Sequence, residues 1–75
     1  MNLEYVQNGR GLKFIKKGMK VKNTYLGKVG VVKGGNSSGN IDVLFEGEKK
    51  PQNCHPTWAM TYYDENDEII MEYAE

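Results

Sequence analysis

The chain contains one cysteine, one histidine and two prolines among its 75 residues. A single cysteine cannot form a disulfide within the chain, so a reducing compartment is expected, and the cytoplasm is the natural choice. No apolar run approaches the roughly 18 residues of a membrane span, and the N-terminus lacks the apolar stretch of a signal peptide. The sequence therefore predicts a soluble protein with no membrane partner.

Residues suited to catalysis or cofactor binding are equally scarce. Cys54 and His55 are adjacent, and neighbouring side chains on a strand point to opposite faces, so they do not form a thiol–imidazole pair. A zinc site takes about four ligands, more than this chain's cysteine and histidine supply. No P-loop and no GxSxG motif is present. We expect a non-catalytic protein with no catalytic residues, no metal and no other cofactor, in which Cys54 is a small buried side chain.

Charge is abundant but unevenly distributed along the chain. Residues 1–63 hold all ten basic residues and four acids, a net charge of +6, whereas residues 64–75 hold six acids and no base. Such segregation is typical of a protein with a charged partner, or of an acidic end that folds against a basic body. We expect the two parts to touch, because Ile69, Ile70 and Tyr73 would otherwise leave apolar surface in water.

Short runs of alternating apolar and polar residues predict an all-β domain. The clearest runs cover residues 19–25, 28–32 and 41–46, and shorter ones cover 61–63 and 68–73. Residues 3–7 and 12–15 form a further predicted pair of strands around the turn signal Asn8-Gly9. Val31 and Phe45 occupy the inward phase of their strands and are predicted core residues.

The connections complete the predicted fold. Residues 34–40, GGNSSGN, form a polar loop, and Pro56 favours a single 3₁₀ turn over residues 56–60. Five or six short strands joined in this way describe a small closed barrel, because closure removes the exposed edges of a small sheet. Residues 1–63 are assigned to the barrel, and residues 64–75 to an acidic hairpin or tail that packs on it.

A glycine-rich pattern extends over residues 18–32, with GMKV at 18–21 and GKVGVV at 27–32. This pattern resembles the KOW motif, which is carried on SH3-like β-barrels in ribosomal proteins and transcription elongation factors. The resemblance implies an SH3-like barrel that contacts RNA or protein. The intervening stretch, NTYL at residues 23–26, departs from the usual pattern of that family.

Lysines on and beside the central strands predict a basic face. Their alternation with apolar residues places several of them outward, and such a face would neutralise phosphates of a nucleic acid. The predicted nucleic-acid-binding residues are Lys16, Lys17, Lys20, Lys22, Lys28 and Lys33. They indicate a nucleic-acid-associated adaptor, whose partner is a nucleic acid or a nucleic-acid-handling protein and not a small-molecule substrate. The alternative is an ordinary solvated surface, on which lysine also protects strand edges.

A second set of residues favours a protein partner instead. Tyr62 and Tyr63 are adjacent on a predicted strand, so one of them faces outward, and an exposed aromatic side chain can anchor a partner. The acidic end could occupy a nucleic-acid site, or could simply keep the domain soluble, and Trp58 could alternatively cap the barrel. The predicted partner-binding residues are Trp58, Tyr62, Tyr63, Asp64, Glu65, Asp67 and Glu68.

This second hypothesis describes a small interaction protein or inhibitor. Richness in lysine, asparagine and tyrosine is typical of low-GC bacterial or phage genes, and phage proteins of this size commonly inhibit host enzymes. Such a protein would act in the bacterial cytoplasm, or in the host cytoplasm if a phage encodes it. We expect a monomer or a weak dimer.

Overall fold

A computed structural model describes residues 3–75, which form one short helix and six strands. In chain order the elements are α1 (Leu3–Gly9), β1 (Lys20–Asn23), β2 (Lys28–Gly35), β3 (Ile41–Phe45), β4 (Gln52–Cys54), β5 (Met60–Tyr63) and β6 (Ile69–Tyr73). The predicted all-β fold is confirmed, with the addition of the helix. Within the described residues, no helix has the length and apolar character needed to cross a membrane.

All six strands belong to one antiparallel sheet in the order β4-β3-β2-β1-β5-β6. Strands β1 to β4 follow one another as a meander, after which β5 returns to pair with β1 and β6 folds back on β5. Strands β4 and β6 each pair with a single neighbour, so the sheet has two edges. The predicted closure of the barrel is therefore not confirmed, and the acidic end supplies an ordinary strand of the sheet.

The N-terminal segment is helical, so the predicted strand pair around Asn8-Gly9 is wrong. Leu3 and Val6 lie three residues apart and share one face of α1. Val6 is fully buried in the core, and Leu3 packs against the same core from the edge. A two-stranded hairpin would place these side chains on opposite faces, whereas a helical turn directs both toward the sheet.

The core lies between one face of the sheet and the segment that contains α1. Its buried members are Val6, Leu12, Ile15, Val21, Val32, Ile41, Val43, Phe45, Cys54, Met60 and Tyr62. The burial of Phe45 confirms the predicted phase of β3, in which Ile41, Val43 and Phe45 all point inward. Cys54 is buried as predicted, and loss of solvation raises the pKa of its thiol above the ordinary value.

The phase of β2 differs from the prediction by one residue. Val31 is 38% exposed, whereas Gly30 and Val32 take the inward positions. Gly30 occurs where β2 approaches β3 closely, and a Cβ atom there would lie 2.7 Å from both the Leu44 carbonyl oxygen and Val43 Cγ1. The prediction of Val31 as a core residue is therefore wrong. Gly30 occupies the inward position, and a glycine has no side chain that would mark that position in the sequence.

The loop between β2 and β3 is shorter than predicted. The two glycines at the start of residues 34–40 belong to β2, so the loop covers residues 36–40. The Asn36 side-chain oxygen accepts hydrogen bonds from the backbone N–H groups of Ser38 and Asn40, at 3.1 and 3.2 Å. An asparagine that bonds backbone groups two and four residues ahead organises such a loop locally.

Residues 56–59 form a turn, not the predicted 3₁₀ helix. Ala59 adopts a left-handed conformation with φ of 54°, which a 3₁₀ helix does not allow. The turn is held to the core because the Tyr62 hydroxyl donates a hydrogen bond to the Pro56 carbonyl. Burial of this phenol raises its pKa above the ordinary value, so it remains a neutral donor.

Candidate interaction surfaces

Part of the predicted set of lysines lies together on the outer face of the sheet. Lys20 and Lys22 on β1 pair with Val31 and Val29 on β2, and these four residues share the outer face of the sheet by strand alternation. Lys33 continues the same phase of β2 and is exposed. Lys16 and Lys17 are exposed in the segment before β1.

Lys28 does not belong to this face. It pairs with Asn23, whose side chain is buried, so it has the inward phase of β2 and lies at the end of the strand. Its ammonium group forms an ion pair with Glu48, 2.9 Å from Oε2. The hydrogen bond from Lys28, aided by one from Gln52, holds the pKa of Glu48 below its ordinary value.

A charged groove brings together residues from the two predicted sites. Lys16, Lys17 and Lys20 lie on its basic side. Its acidic side comes from the β5–β6 turn and consists of Asp64, Glu65 and Asp67, and the apolar lining includes Phe14, Tyr63 and Ile70. The open volume is about 560 Å³. The two charged parts of the chain meet here through the Lys20–Asp67 ion pair. The expected reason for that contact is wrong for two of its three residues, because Ile69 and Ile70 remain 54% and 43% exposed.

Lys20 is the residue that joins the two sides of the charged groove. Its Nζ lies 3.1 Å from Asp67 Oδ1 and 4.8 Å from the centroid of the Tyr63 ring, close enough for a cation–π contact. Asp64 has a structural role, because its Oδ1 accepts the backbone N–H groups of Asn66 and Glu68, at 2.8 and 3.0 Å. The charges on the two sides of the groove are thus partly neutralised by the Lys20–Asp67 ion pair.

The predicted aromatic residues separate into buried and exposed members. Tyr62 is fully buried, so its prediction as a partner-binding residue is wrong. Tyr63, the next residue on β5, is the one that faces outward. Trp58 is 44% exposed, and its ring centroid lies 5.3 Å from that of Tyr25, which is 64% exposed. Leu26, next in sequence to Tyr25, is also exposed. Tyr25, Leu26 and Trp58 form what we call the aromatic surface.

Hydrogen bonds fix the two turns that carry the aromatic surface. The backbone N–H of Thr24 donates to the Ala59 carbonyl at 2.9 Å, which joins the β1–β2 turn to the β4–β5 turn. The buried Asn23 side chain accepts the Leu26 N–H at 2.9 Å through Oδ1, and its Nδ2 lies 3.6 Å from the sulfur of Met60. These contacts hold the aromatic surface in a defined geometry.

Sequence reasoning missed Tyr25 and Leu26 as surface residues, although a signal was present. Both fall within NTYL at residues 23–26, the stretch where the chain departs from the KOW pattern. Asn23 is a polar residue at an inward position of β1, and it is the residue that organises the turn. The segment that departs from that pattern is thus the one that places Tyr25 and Leu26 on the surface.

Cys54 and His55, the adjacent thiol and imidazole, each contact a residue two positions away in sequence. His55 Nδ1 accepts the backbone N–H of Thr57 at 3.2 Å, a local turn contact. Across residues 3–75, histidine, cysteine and acidic side chains form no cluster of three that could hold a metal ion. Comparison of the chain with protein-family models, with curated proteins and with solved structures finds no match.

Proposed function

We propose that this protein is a non-catalytic module that binds a partner protein through the aromatic surface. The observation that carries the proposal is the Tyr25–Trp58 pair, which is exposed to solvent although both turns beneath it are fixed by hydrogen bonds. Tryptophan and tyrosine are the residue types most enriched among binding hot spots. Each offers a large apolar face with a polar tip that remains able to form hydrogen bonds.

Rigidity of the turns strengthens this proposal. Binding normally costs about 0.5–1.5 kcal/mol for each flexible side chain that becomes ordered. Here Trp58 and Tyr25 already contact each other, and the Thr24–Ala59 hydrogen bond sets the distance between their turns. A partner would therefore meet a surface that is largely organised before contact. An inhibitor of a larger protein would benefit from the same property.

Replacing Trp58 with alanine tests the proposal. Partners are captured on the immobilised protein from nuclease-treated bacterial lysate, identified, purified and titrated against it. Trp58→Ala should weaken binding of the partner about 30-fold, the equivalent of about 2 kcal/mol for a hot-spot residue. The free energy of unfolding should change little, because the Trp58 side chain is half exposed.

Tyr5→Ala is the matched control for this experiment. Tyr5 is an aromatic residue with 49% exposure, close to the 44% of Trp58, and it lies on α1. The control variant should bind the partner with unchanged affinity. Equal affinities for wild type and Trp58→Ala, with both proteins folded, would show that the aromatic surface does not bind the partner.

A nucleic-acid-associated adaptor on an SH3-like fold is the second candidate function. This candidate is favoured because most lysines of the predicted basic face keep their charge unpaired within the part of the chain that the structure describes. Among residues 3–75, the only basic side chains in ion pairs are those of Lys20 and Lys28. The return of β5 to β1 after a meander supports the SH3-like resemblance. Lys16, Lys17 and Lys33 would then supply most of the phosphate contacts.

A salt titration with single-stranded RNA tests this second candidate. The logarithm of the binding constant should fall with the logarithm of salt concentration, by about 0.7 for each phosphate neutralised on a single strand. The double variant Lys16→Gln/Lys17→Gln should reduce that slope by about 1.4, which corresponds to two lost contacts. Lys49→Gln/Lys50→Gln, near β4, is the control that keeps the slope. RNA binding with no salt dependence would contradict the assignment of these lysines.

A further inference from the structure

Strand β6 leaves one edge of the sheet open. On one side, β5 pairs with Ile69, Met71, Glu72 and Tyr73, with a register shift that leaves Ile70 without a partner on β5. No strand of the described chain pairs with the other side. Ile69, Ile70 and Met71 are consecutive, apolar and exposed. Unpaired backbone N–H and C=O groups beside exposed apolar side chains form a template for an added strand.

The opposite edge of the sheet is built differently. Strand β4 covers only Gln52–Cys54, follows Pro51 and exposes the polar side chains of Gln52 and Asn53. A very short polar strand preceded by proline is a common way to protect an edge from pairing. Strand β6 has five residues and no proline, so it is neither short nor interrupted, and its protection is limited to Glu72 and the register shift at Ile70.

Charge determines which kind of strand the open edge of β6 can accept. Glu68, Glu72 and Glu75 are exposed along or beside β6, and residues 64–75 contain no base. A second copy of β6 would bring two sets of these carboxylates together, and like charges across paired strands are destabilising. A strand with basic side chains would instead place opposite charges across the new pair.

We infer that the open edge of β6 is a docking site for an extended basic segment of a partner protein, which adds to the sheet as a seventh strand. Main-chain hydrogen bonds would supply affinity, and alternating side chains would supply specificity. Met71 and Tyr73 lie opposite the inward residues Tyr62 and Met60, so apolar residues on one face of the segment would contact Met71. Lysine or arginine residues on its other face would pair with Glu72 and, beyond the strand, with Glu68. This site shares no residue with the aromatic surface, although the two adjoin where the Ala59 N–H donates to the Ala74 carbonyl at 3.1 Å.

Peptides of about seven residues, within the usual range of strand lengths, test this inference. The first alternates lysine with valine, the second replaces each lysine with glutamate, and the third has proline at its centre. Fluorescence anisotropy should show binding of the lysine peptide alone, because glutamate repels the acidic edge and proline interrupts the added strand. In NMR spectra of the ¹⁵N-labelled protein, the largest amide shifts should fall on residues 68–75.

Two matched substitutions distinguish binding of the peptide at the edge of β6 from non-specific electrostatic attraction to the protein. Met71 and Val31 are exposed to nearly the same extent, 39% and 38%, but lie on β6 and on β2. Met71→Lys should weaken binding of the lysine peptide about 10-fold or more, because it adds a charge of the peptide's own sign to the edge. Val31→Lys should weaken it much less, and Trp58→Ala should leave it unchanged.

Several results would overturn the inference. They are absence of peptide binding, equal binding of the glutamate or proline peptide, and equal affinity for Met71→Lys and wild type when both are folded. A dimer of the protein alone that Met71→Lys dissociates would assign the edge to a second copy instead. Loss of peptide binding in Trp58→Ala would place the site at the aromatic surface. Because the Trp58→Ala variant is tested with the purified partner and with the peptide, failure of the proposed function and failure of this inference are distinguishable.

Discussion

Truncation of Phe45 to alanine is expected to lower the free energy of unfolding by about 3–5 kcal/mol. Phe45 is one of the largest fully buried side chains of the protein, and its loss removes apolar contacts and leaves a cavity. Domains are commonly stable by only 5–15 kcal/mol, and small ones bury a smaller fraction of their surface. Urea denaturation followed by circular dichroism gives the change directly.

Val31→Ala is the control, because Val31 was predicted from sequence to be as deeply buried as Phe45. Its side chain is 38% exposed, so the substitution should cost at most about 1 kcal/mol, mainly through lower strand propensity. Similar losses for the two variants would contradict the phase of β2 described above. A Phe45→Ala variant with unchanged stability would contradict the position of β3 in the core.

Gly30→Ala is expected to destabilise the protein by about 3 kcal/mol, the upper end of the usual range for overpacking. The new Cβ would lie 2.7 Å from the Leu44 carbonyl oxygen, a backbone atom that cannot move without shifting the sheet. It would also lie 2.7 Å from Val43 Cγ1, inside the core. Thermal unfolding should show a clear fall in Tm relative to wild type.

Gly34→Ala gives the matched comparison on the same strand. A Cβ at Gly34 would meet no atom within 4 Å, and alanine reduces the conformational freedom of the unfolded chain. This variant should be neutral or more stable by up to about 1 kcal/mol. Equal destabilisation of both glycine variants would indicate a general effect of side chains on β2, with no special close approach at Gly30.

Much of the sheet could be predicted from sequence because alternation depends only on neighbouring residues. The pattern of β3, with Ile41, Val43 and Phe45 inward, shows the strength of this signal. It failed on β2 because Gly30 has no side chain to mark its inward position. It failed at α1 because a seven-residue helix contains too few turns to show a helical period.

The site was harder to predict because its parts come from distant segments of the chain. The lysines and acids were identified as two separate sets, and only the fold places Lys20 beside Asp67. Tyr25 and Trp58 are likewise adjacent only because β1 and β5 are neighbours. Strand order, which local patterns do not encode, thus determined which predicted residues share a surface.

The pairing of β1 with β5 also has a consequence for how the protein folds. Asn23 and Met60 are 37 residues apart in sequence yet in contact, so the chain must close a long loop before this pair can form. Such non-local closure slows folding in β proteins. The β1–β4 meander and the β5–β6 hairpin can each form from sequence neighbours, so we expect their joining to be the slow step. The Thr24–Ala59 hydrogen bond spans the same junction between β1 and β5. The aromatic surface therefore forms only after that step, and a bound partner would stabilise the β1–β5 junction.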